Sequence, residues 1–396
     1  DLELSKLSFF YDNYPLEIKV DNSKCQILND TISVLNSQIN IQDSDLSFDG
    51  EIHNLFNNIL VDSTKIVHVI GDLISTTFNL KSLISNNDKE NKVVEEYDMP
   101  SRFNLDLKTS INSLAYNNIY PNQVNCHLIY KDNAVSTKDL RMNLLSGQML
   151  FDGKFYKNTE NNFKLTGNIK LENIDVKKTF SAFNNFGQDF IMAKHIKGKS
   201  SSSIICNITL NKFLEIDLDK INIDSKVSIE KGELIDFKPL ESLSNYVKLD
   251  DLAHIKFSKL ENEIKIKDKI ISVPNMEIKS SALSLIISGK HFFNQEYNYK
   301  ISLLLSDLLA KRFRKKDKEF NNQDSTSLLK TNLQLRMVGD KENSEISFEK
   351  LKIKENLKNE IKKEILDVKK IISEEINKKE SDEEDEELEI EWDDNF

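Results

Sequence analysis

The sequences Ala282-Leu-Ser-Leu-Ile-Ile-Ser288 and Tyr297-Asn-Tyr-Lys-Ile-Ser-Leu-Leu-Leu305 decide the fold class. In both, every second residue is apolar or aromatic. Side chains of a β-strand alternate between its two faces, so every second residue of a strand shares a face. Within the first strand, Leu283, Leu285 and Ile287 are therefore predicted to share a face. Within the second, Ile301, Leu303 and Leu305 are predicted to do so. Residues 229–305 repeat this pattern and predict a sheet with one apolar face.

The same alternation runs through the chain that precedes this stretch, with polar turns rich in Asn and Asp between the strands. Strand following strand in this way is typical of a mainly antiparallel, all-β architecture. The apolar rows are these: Phe103, Leu105 and Leu107; Leu140, Met142 and Leu144; Met149, Phe151 and Phe155; Leu165, Ile169 and Leu171; Ile208 and Leu210.

Breaks in the alternation predict the organisation of the chain. Helical spacing of apolar residues predicts short amphipathic helices near residues 175–195 and 239–247 and a longer one at 351–380. Phe180, Phe183 and Phe186 would form the apolar stripe of the first. The predicted parts are residues 1–84, a β segment; 85–98, a polar loop; 99–350, the main β region; 351–380, the helix; and 381–396, an acidic disordered tail.

The charge of the chain is concentrated at its end. The net charge is −11, but residues 382–394 contain ten acids and no base. Without them, acidic and basic residues nearly balance. No basic excess remains to attract phosphate backbones, so we expect no nucleic-acid partner.

The sequence contains none of the common motifs of catalytic, cofactor-binding or metal sites. The six histidines have no partner at metalloenzyme spacing, and Cys25, Cys126 and Cys206 lie far apart without a CxxC pair. No Gly-rich phosphate loop or nucleophile motif occurs. We therefore expect a protein that is not an enzyme and has neither a cofactor nor a metal.

Two further features of the sequence concern membrane-spanning segments, within this chain and before it. No run of about 18 apolar residues occurs that could form a spanning helix. The chain begins at Asp1, without Met and just before a predicted strand, so we expect an N-terminal portion to precede it.

Alternation alone leaves two architectures open. In a β-sandwich, two apolar faces cover each other. In a single curved sheet, the apolar rows would line an open groove that requires a ligand.

Several stretches resemble AsmA-like envelope proteins of the Bacteroidetes type, which are related to TamB. The resemblance covers residues 99–305 well and residues 2–83 loosely. The stretches are Asp139-Leu-Arg-Met-Asn-Leu-Leu-Ser-Gly-Gln-Met-Leu-Phe-Asp-Gly153, Phe163-Lys-Leu, His195-Ile-Lys-Gly-Lys-Ser200, Lys231-Gly-Glu-Leu-Ile-Asp-Phe-Lys-Pro-Leu240, Phe257-Ser-Lys-Leu-Glu-Asn262, Val273-Pro-Asn-Met276 and Glu389-Ile-Glu-Trp-Asp-Asp394.

The resemblance implies an elongated, curved antiparallel sheet of the β-taco type, whose apolar rows line a groove. It implies a periplasmic protein that is anchored to the inner membrane by a helix outside this chain. Its function would be lipid transport: phospholipid or another envelope lipid would bind in the groove, in support of outer-membrane biogenesis. The alternative is a scaffold or assembly factor for outer-membrane proteins, whose strands would pair with the sheet edges, with outer-membrane assembly proteins as further partners.

Overall fold

A computed structural model describes residues 2–11, 14–80, 82, 96–237, 253–280, 284–304, 332–340 and 343–348. Within these ranges the chain is mainly β, as the alternation predicts. The predicted helices at 239–247 and 351–380 and the acidic tail at 381–396 lie outside the described residues, as does most of the predicted loop at 85–98.

The described residues form eighteen strands, and all of these belong to one sheet. They are β1 (Leu2–Tyr11), β2 (Tyr14–Leu28), β3 (Thr31–Ile41), β4 (Ser44–His53), β5 (Val67–Asn79), β6 (Phe103–Ala115), β7 (Asn122–Lys131), β8 (Ala134–Leu144), β9 (Gly147–Lys157), β10 (Phe163–Asp175), β11 (Ile196–Leu210), β12 (Asn222–Ile235), β13 (His254–Lys267), β14 (Ile270–Lys279), β15 (Ser284–Phe292), β16 (Tyr297–Leu304), β17 (Asn332–Gly339) and β18 (Ser344–Phe348).

Each strand pairs with the next strand along the chain, so the sheet is a meander that does not close on itself. Sixteen of these seventeen pairings are antiparallel. β5 and β6 are parallel, with Val67 opposite Phe103. The expectation of a purely antiparallel sheet is therefore wrong at this point, because the long connection between the two strands returns the chain to the end where β5 began.

Helical structure is sparse among the described residues. The helix predicted near 175–195 is limited to α1 (Val176–Ala182), and a 3-10 turn, Asn184–Gly187, follows it. A π-helical turn, Asn57–Val61, and a 3-10 turn, Leu218–Lys220, lie in two connections between strands. Asp175 begins α1 because its carboxylate accepts a hydrogen bond from the Lys178 N–H.

Three hairpins of the sheet have the same construction, which the alternation of apolar residues does not predict. In β3–β4, β8–β9 and β14–β15, the first strand has a one-residue bulge, and the residue before the bulge pairs with a glycine. The pairs are Val34 with Gly50, Thr137 with Gly153, and Val273 with Gly289. A bulge bends its strand and increases the local twist, so the same bend recurs along the sheet.

An aspartate stabilises the bulge in two of the three hairpins. The N–H of Asn36 donates to Asp49 Oδ1 at 2.7 Å, and the N–H of Asp139 donates to Asp152 Oδ1 at 2.8 Å. Both bulge residues have positive φ, which Asn and Asp tolerate better than most residues. The third hairpin has Ser288 in place of the aspartate.

Candidate functional site: the apolar face of the sheet

The strand registers bring the predicted apolar rows into line across the sheet. Leu140 lies opposite Phe151, Phe151 opposite Ile169, and Ile169 opposite Ile204. Farther along, Met276 lies opposite Ile287, Ile287 opposite Ile301, and Ile301 opposite Leu335. Residues that lie directly opposite each other in a ladder share a face. We call the side that carries these rows the apolar face, and its reverse the polar face.

The registers place every described member of the predicted rows on the apolar face. Leu107, Leu285 and Ile301 are buried, Phe103 is exposed, and the side chains between these extremes are half-buried. The half-buried members are Leu105, Leu140, Met142, Leu144, Met149, Phe151, Phe155, Leu165, Ile169, Leu171, Ile208, Leu210 and Ile287. Leu303 has its backbone in β16, while Leu283 and Leu305 lie outside the described residues.

Neighbours on the same face account for most of this burial. Cys25, Val34, Phe48 and Leu107 form one buried cluster, with residues such as Ile52 and Val69 packed around it. Because all eighteen described strands belong to one sheet, no second sheet among them covers the apolar face. The β-sandwich that alternation left open is therefore not the architecture of the described chain.

A short segment, residues 96–102, runs along the ends of several strands at one side of the apolar face. The Tyr97 N–H donates to the Lys212 carbonyl at 3.0 Å, just beyond β11, and Lys157 Nζ of β9 lies 3.0 Å from Asp98 Oδ1. The Tyr130 hydroxyl of β7 donates to the Pro100 carbonyl. These contacts place the segment beside the strand ends. Phe163, the first residue of β10, is almost completely buried.

A second segment crosses the apolar face between α1 and β11. The Phe190 ring lies 5.1 Å from the Phe237 ring, 5.1 Å from the His291 ring and 4.5 Å from the Tyr297 ring, centroid to centroid. Phe237 follows β12, whereas His291 and Tyr297 flank the turn between β15 and β16. One ring therefore contacts parts of the sheet that are three strands apart.

At this contact, the pKa values of His291, Tyr299 and His195 are shifted in the direction that disfavours charge. Burial lowers the pKa of His291 and raises the pKa of Tyr299 to about 12, with a smaller contribution from Tyr297. Burial also lowers the pKa of His195, and the neighbouring Lys194 adds to the effect, while Asp236 opposes it. An environment that disfavours charge in this way suits apolar contacts.

Charged side chains concentrate on the polar face. His127 Nε2 lies 2.6 Å from Asp106 Oδ1, and His254 Nε2 lies 3.0 Å from Glu233 Oε2. Both pairs belong to polar-face rows. Sequence spacing does not reveal them, because only the strand register brings the partners together. Among the described residues, no group of His, Cys, Asp and Glu has the arrangement of a metal site.

The ladder between β13 and β14 is incomplete. Three register pairs join residues 265–267 to 270–272, and an isolated bridge joins Phe257 to Ser280. Between these points the Asn262 side chain donates to the Pro274 carbonyl at 3.3 Å. We call this opening the seam. A depression of about 660 Å3 beside it is lined by residues that include Ser202, Val227 and Asn262.

None of the helices in the described ranges has the length and apolar character that a membrane span requires. Comparison with family models, with curated proteins and with solved structures finds no match.

Proposed function

We propose that this chain is a non-enzymatic lipid-binding conduit of the AsmA-like type, in which acyl chains lie against the apolar face. The observation that carries the proposal is the continuity of that face. Apolar side chains follow one another across the strand register, for example from Leu140 to Ile204, and no second sheet among the described strands covers them.

We further propose that the sheet is curved and that the apolar face lines its concave side, as in a β-taco. Recurrent bulges support this curvature, since each bends its strand. The contacts of Phe190 support it too, because a single ring can reach Phe237 and Tyr297 only where the face is concave. In this arrangement residues 96–102 form part of one rim.

Binding would then follow from the hydrophobic effect alone. Removing apolar surface from water yields about 25 cal/mol per Å2. An acyl chain that moves from a bilayer into the groove exchanges one apolar environment for another, so the transfer is nearly balanced in free energy. Headgroups would remain in water at the open side. Such a groove requires no catalytic group, and its selectivity for acyl chains would be low.

The proposed setting is the periplasm of the cell envelope, with the inner membrane as the anchoring membrane and outer-membrane biogenesis as the process served. This setting rests on the resemblance described above. The cargo would be phospholipid or another envelope lipid.

Two adjacent isoleucines allow a matched test. Ile204 lies on the apolar face, whereas Ile205 lies on the polar face and is 63% exposed. We expect native mass spectrometry of the gently extracted protein to show bound lipid. Ile204→Asp should lose lipid, because a carboxylate in the groove would have to be desolvated. Ile205→Asp should retain it.

Three results would contradict the proposal: a wild-type chain without any co-purifying lipid, equal lipid retention in the two variants, or loss of lipid in Ile205→Asp alone. Circular dichroism of both variants verifies that they keep the β-sheet.

The seam favours a second candidate function, the scaffold. Unpaired strand segments are sites where a partner strand can add to a sheet. A photo-crosslinker at Glu261 or Asn275, on either side of the seam, tests this candidate. Capture of a peptide from an outer-membrane assembly protein would favour the scaffold, and capture of lipid alone would favour the conduit.

A further inference from the structure

The connection after β10 carries three neighbouring aromatic rings, Phe180, Phe183 and Phe186, which we call the aromatic cluster; Phe180 is half-buried and the other two are exposed. The Phe180 and Phe186 rings are 5.2 Å apart and perpendicular, and the Phe183 and Phe186 rings are 5.6 Å apart and stacked. Phe183 is 45% exposed and Phe186 is 57% exposed. Contiguous rings that remain accessible to water mark interaction surfaces more often than scattered apolar residues do.

The backbone holds the outermost ring in an unusual conformation. Asn185 and Phe186 have φ angles of 51° and 57°, in the left-handed region. Asn adopts this region readily, but a bulky aromatic residue seldom does. Strained residues of this kind concentrate where they serve a function. Here the left-handed turn brings the Phe186 ring beside both other rings.

Basic side chains flank the aromatic cluster in the sequence. Lys177, Lys178 and Lys194 are exposed, and within the described ranges none of them forms an ion pair with a carboxylate. Between residues 176 and 195 the sequence has these three lysines and one acid, Asp189, in a chain whose net charge is −11. The segment that carries the exposed rings thus has more basic than acidic side chains.

We propose that the aromatic cluster and its lysines dock onto an anionic membrane surface. Aromatic rings partition to the boundary between headgroups and acyl chains, and lysines beside them contact lipid phosphates. A specific protein partner requires about 800 Å2 of surface per side, which exceeds what three rings on a short connection supply. Two rings and a few lysines are enough for interfacial binding. The inference goes beyond the proposed function and can hold without it.

The test measures binding of the intact chain to vesicles by co-sedimentation. One set of vesicles contains phosphatidylglycerol and phosphatidylcholine in equal amounts, and the other contains phosphatidylcholine alone. We expect binding to the anionic vesicles that weakens as salt is added, and little binding to the neutral ones.

One double variant tests the role of the rings, and two single variants test the role of the charges. Phe183→Ser with Phe186→Asn should weaken binding at least about tenfold, since two rings leave the interface. Asn suits the left-handed backbone at position 186, so this variant should fold normally. Lys177→Gln and Lys194→Gln should each weaken binding to anionic vesicles about fivefold.

A matched control is available in the connection between β4 and β5, which lies at the opposite strand ends. Ile59, Leu60 and Val61 are even more exposed than the aromatic cluster, at 65%, 75% and 77%. The triple substitution of these residues by Ser should leave vesicle binding unchanged. Loss of binding in this control, with binding retained in the Phe183→Ser/Phe186→Asn variant, would overturn the proposal.

Absence of vesicle binding by the wild-type chain, or equal and salt-independent binding to both kinds of vesicle, would also overturn it. Lipid retention in native mass spectrometry distinguishes this failure from that of the proposed function. A chain that retains lipid but does not bind vesicles refutes only the docking surface. A chain that binds vesicles but carries no lipid refutes only the conduit.

Discussion

The rings of Phe190 and Tyr297 lie 4.5 Å apart, centroid to centroid, although Phe190 precedes β11 and Tyr297 begins β16. This contact joins the connection after α1 to a cluster of buried residues that includes Ile301 and Leu335. Phe190 and its neighbour Ile191 both pack against this cluster. The stability of the connection should therefore depend in large part on the Phe190 ring, which contacts Phe237, His291 and Tyr297.

Phe190→Ala should loosen residues 183–195. The ring is half-buried, so its removal should cost about 2 kcal/mol, less than a fully buried phenylalanine. Hydrogen exchange should show faster amide exchange in this connection and in β15–β16. The control is Phe186→Ala, which removes an exposed ring and should leave exchange in β15–β16 unchanged. Equal effects of the two substitutions would contradict the role assigned to Phe190.

The same contact should weaken at acidic pH. Burial lowers the pKa of His291 and of His195 below the ordinary value of about 6.5. The two imidazoles therefore bind a proton more tightly when the contact is open than when it is formed. The contact has its full stability above about pH 6.5, and this stability decreases as the pH falls from there towards the lowered pKa values of the two histidines.

Thermal unfolding between about pH 7.5 and pH 5 measures this effect. His291→Gln should reduce the pH dependence, since it removes one buried imidazole. Tyr299, whose ring stacks beside Phe190, stays neutral over this range because burial raises its pKa to about 12. His254→Gln is the control, because His254 is exposed and paired with Glu233 on the polar face. If this control removed as much pH dependence, the assignment to His291 would be wrong.

The glycines opposite the bulges should differ in how they tolerate a methyl group. At Gly153, the atom nearest to an added Cβ is in the Phe151 ring, whereas at Gly50 it is the Ile70 carbonyl oxygen. A ring can move, but the backbone of a paired strand cannot. Both Gly153→Ala and Gly50→Ala should destabilise the sheet, by about 1–3 kcal/mol.

A second substitution distinguishes the two sites. Phe151→Leu should recover part of the stability lost in Gly153→Ala, while Phe48→Leu should recover little of that lost in Gly50→Ala. Urea unfolding of the single and double variants gives the coupling free energies. Additive free energies at Gly153 would argue against a steric conflict with the Phe151 ring.

Asp152 should stabilise the bulge of β8 through its hydrogen bond with the Asp139 N–H. Because this bond is exposed, Asp152→Ala should cost only about 1 kcal/mol. Asp152→Asn keeps an acceptor oxygen and should retain most of the stability. Asp49→Ala should reproduce the loss in the first hairpin, where Asp49 accepts from the Asn36 N–H. Chemical denaturation of the three variants measures these differences.

Alternation predicted the strands and their faces because burial on one side imposes a period of two residues. The rows from Phe103 to Ile301 that the structure describes share one face for this reason. The parallel pairing of β5 and β6 could not be predicted, since strand periodicity carries no information on direction.

The helix near residues 175–195 was predicted too long. Phe180, Phe183 and Phe186 have helical spacing, but α1 ends at Ala182, and Asn185 and Phe186 turn into the left-handed region. The sequence Asn184-Asn185-Phe186-Gly187 has the composition of a helix end. Here the local preference of Asn and Gly outweighed the spacing of the rings.

The repeated hairpins also had a signal in the sequence. Ser33, Ser136 and Ser272 precede Gly50, Gly153 and Gly289 at the same spacing, and Phe-Asp-Gly occurs in the first two copies. The relationship is not visible in any single strand, because it appears only when the three hairpins are aligned with one another.

The repeated bulged hairpins make this sheet a one-dimensional array. Each hairpin contacts mainly its neighbours, so stability is close to a sum of local units and their interfaces. Gene duplication of such a unit would lengthen the molecule by a fixed increment without any redesign of existing contacts. Evolution could thereby change the length of the sheet one hairpin at a time.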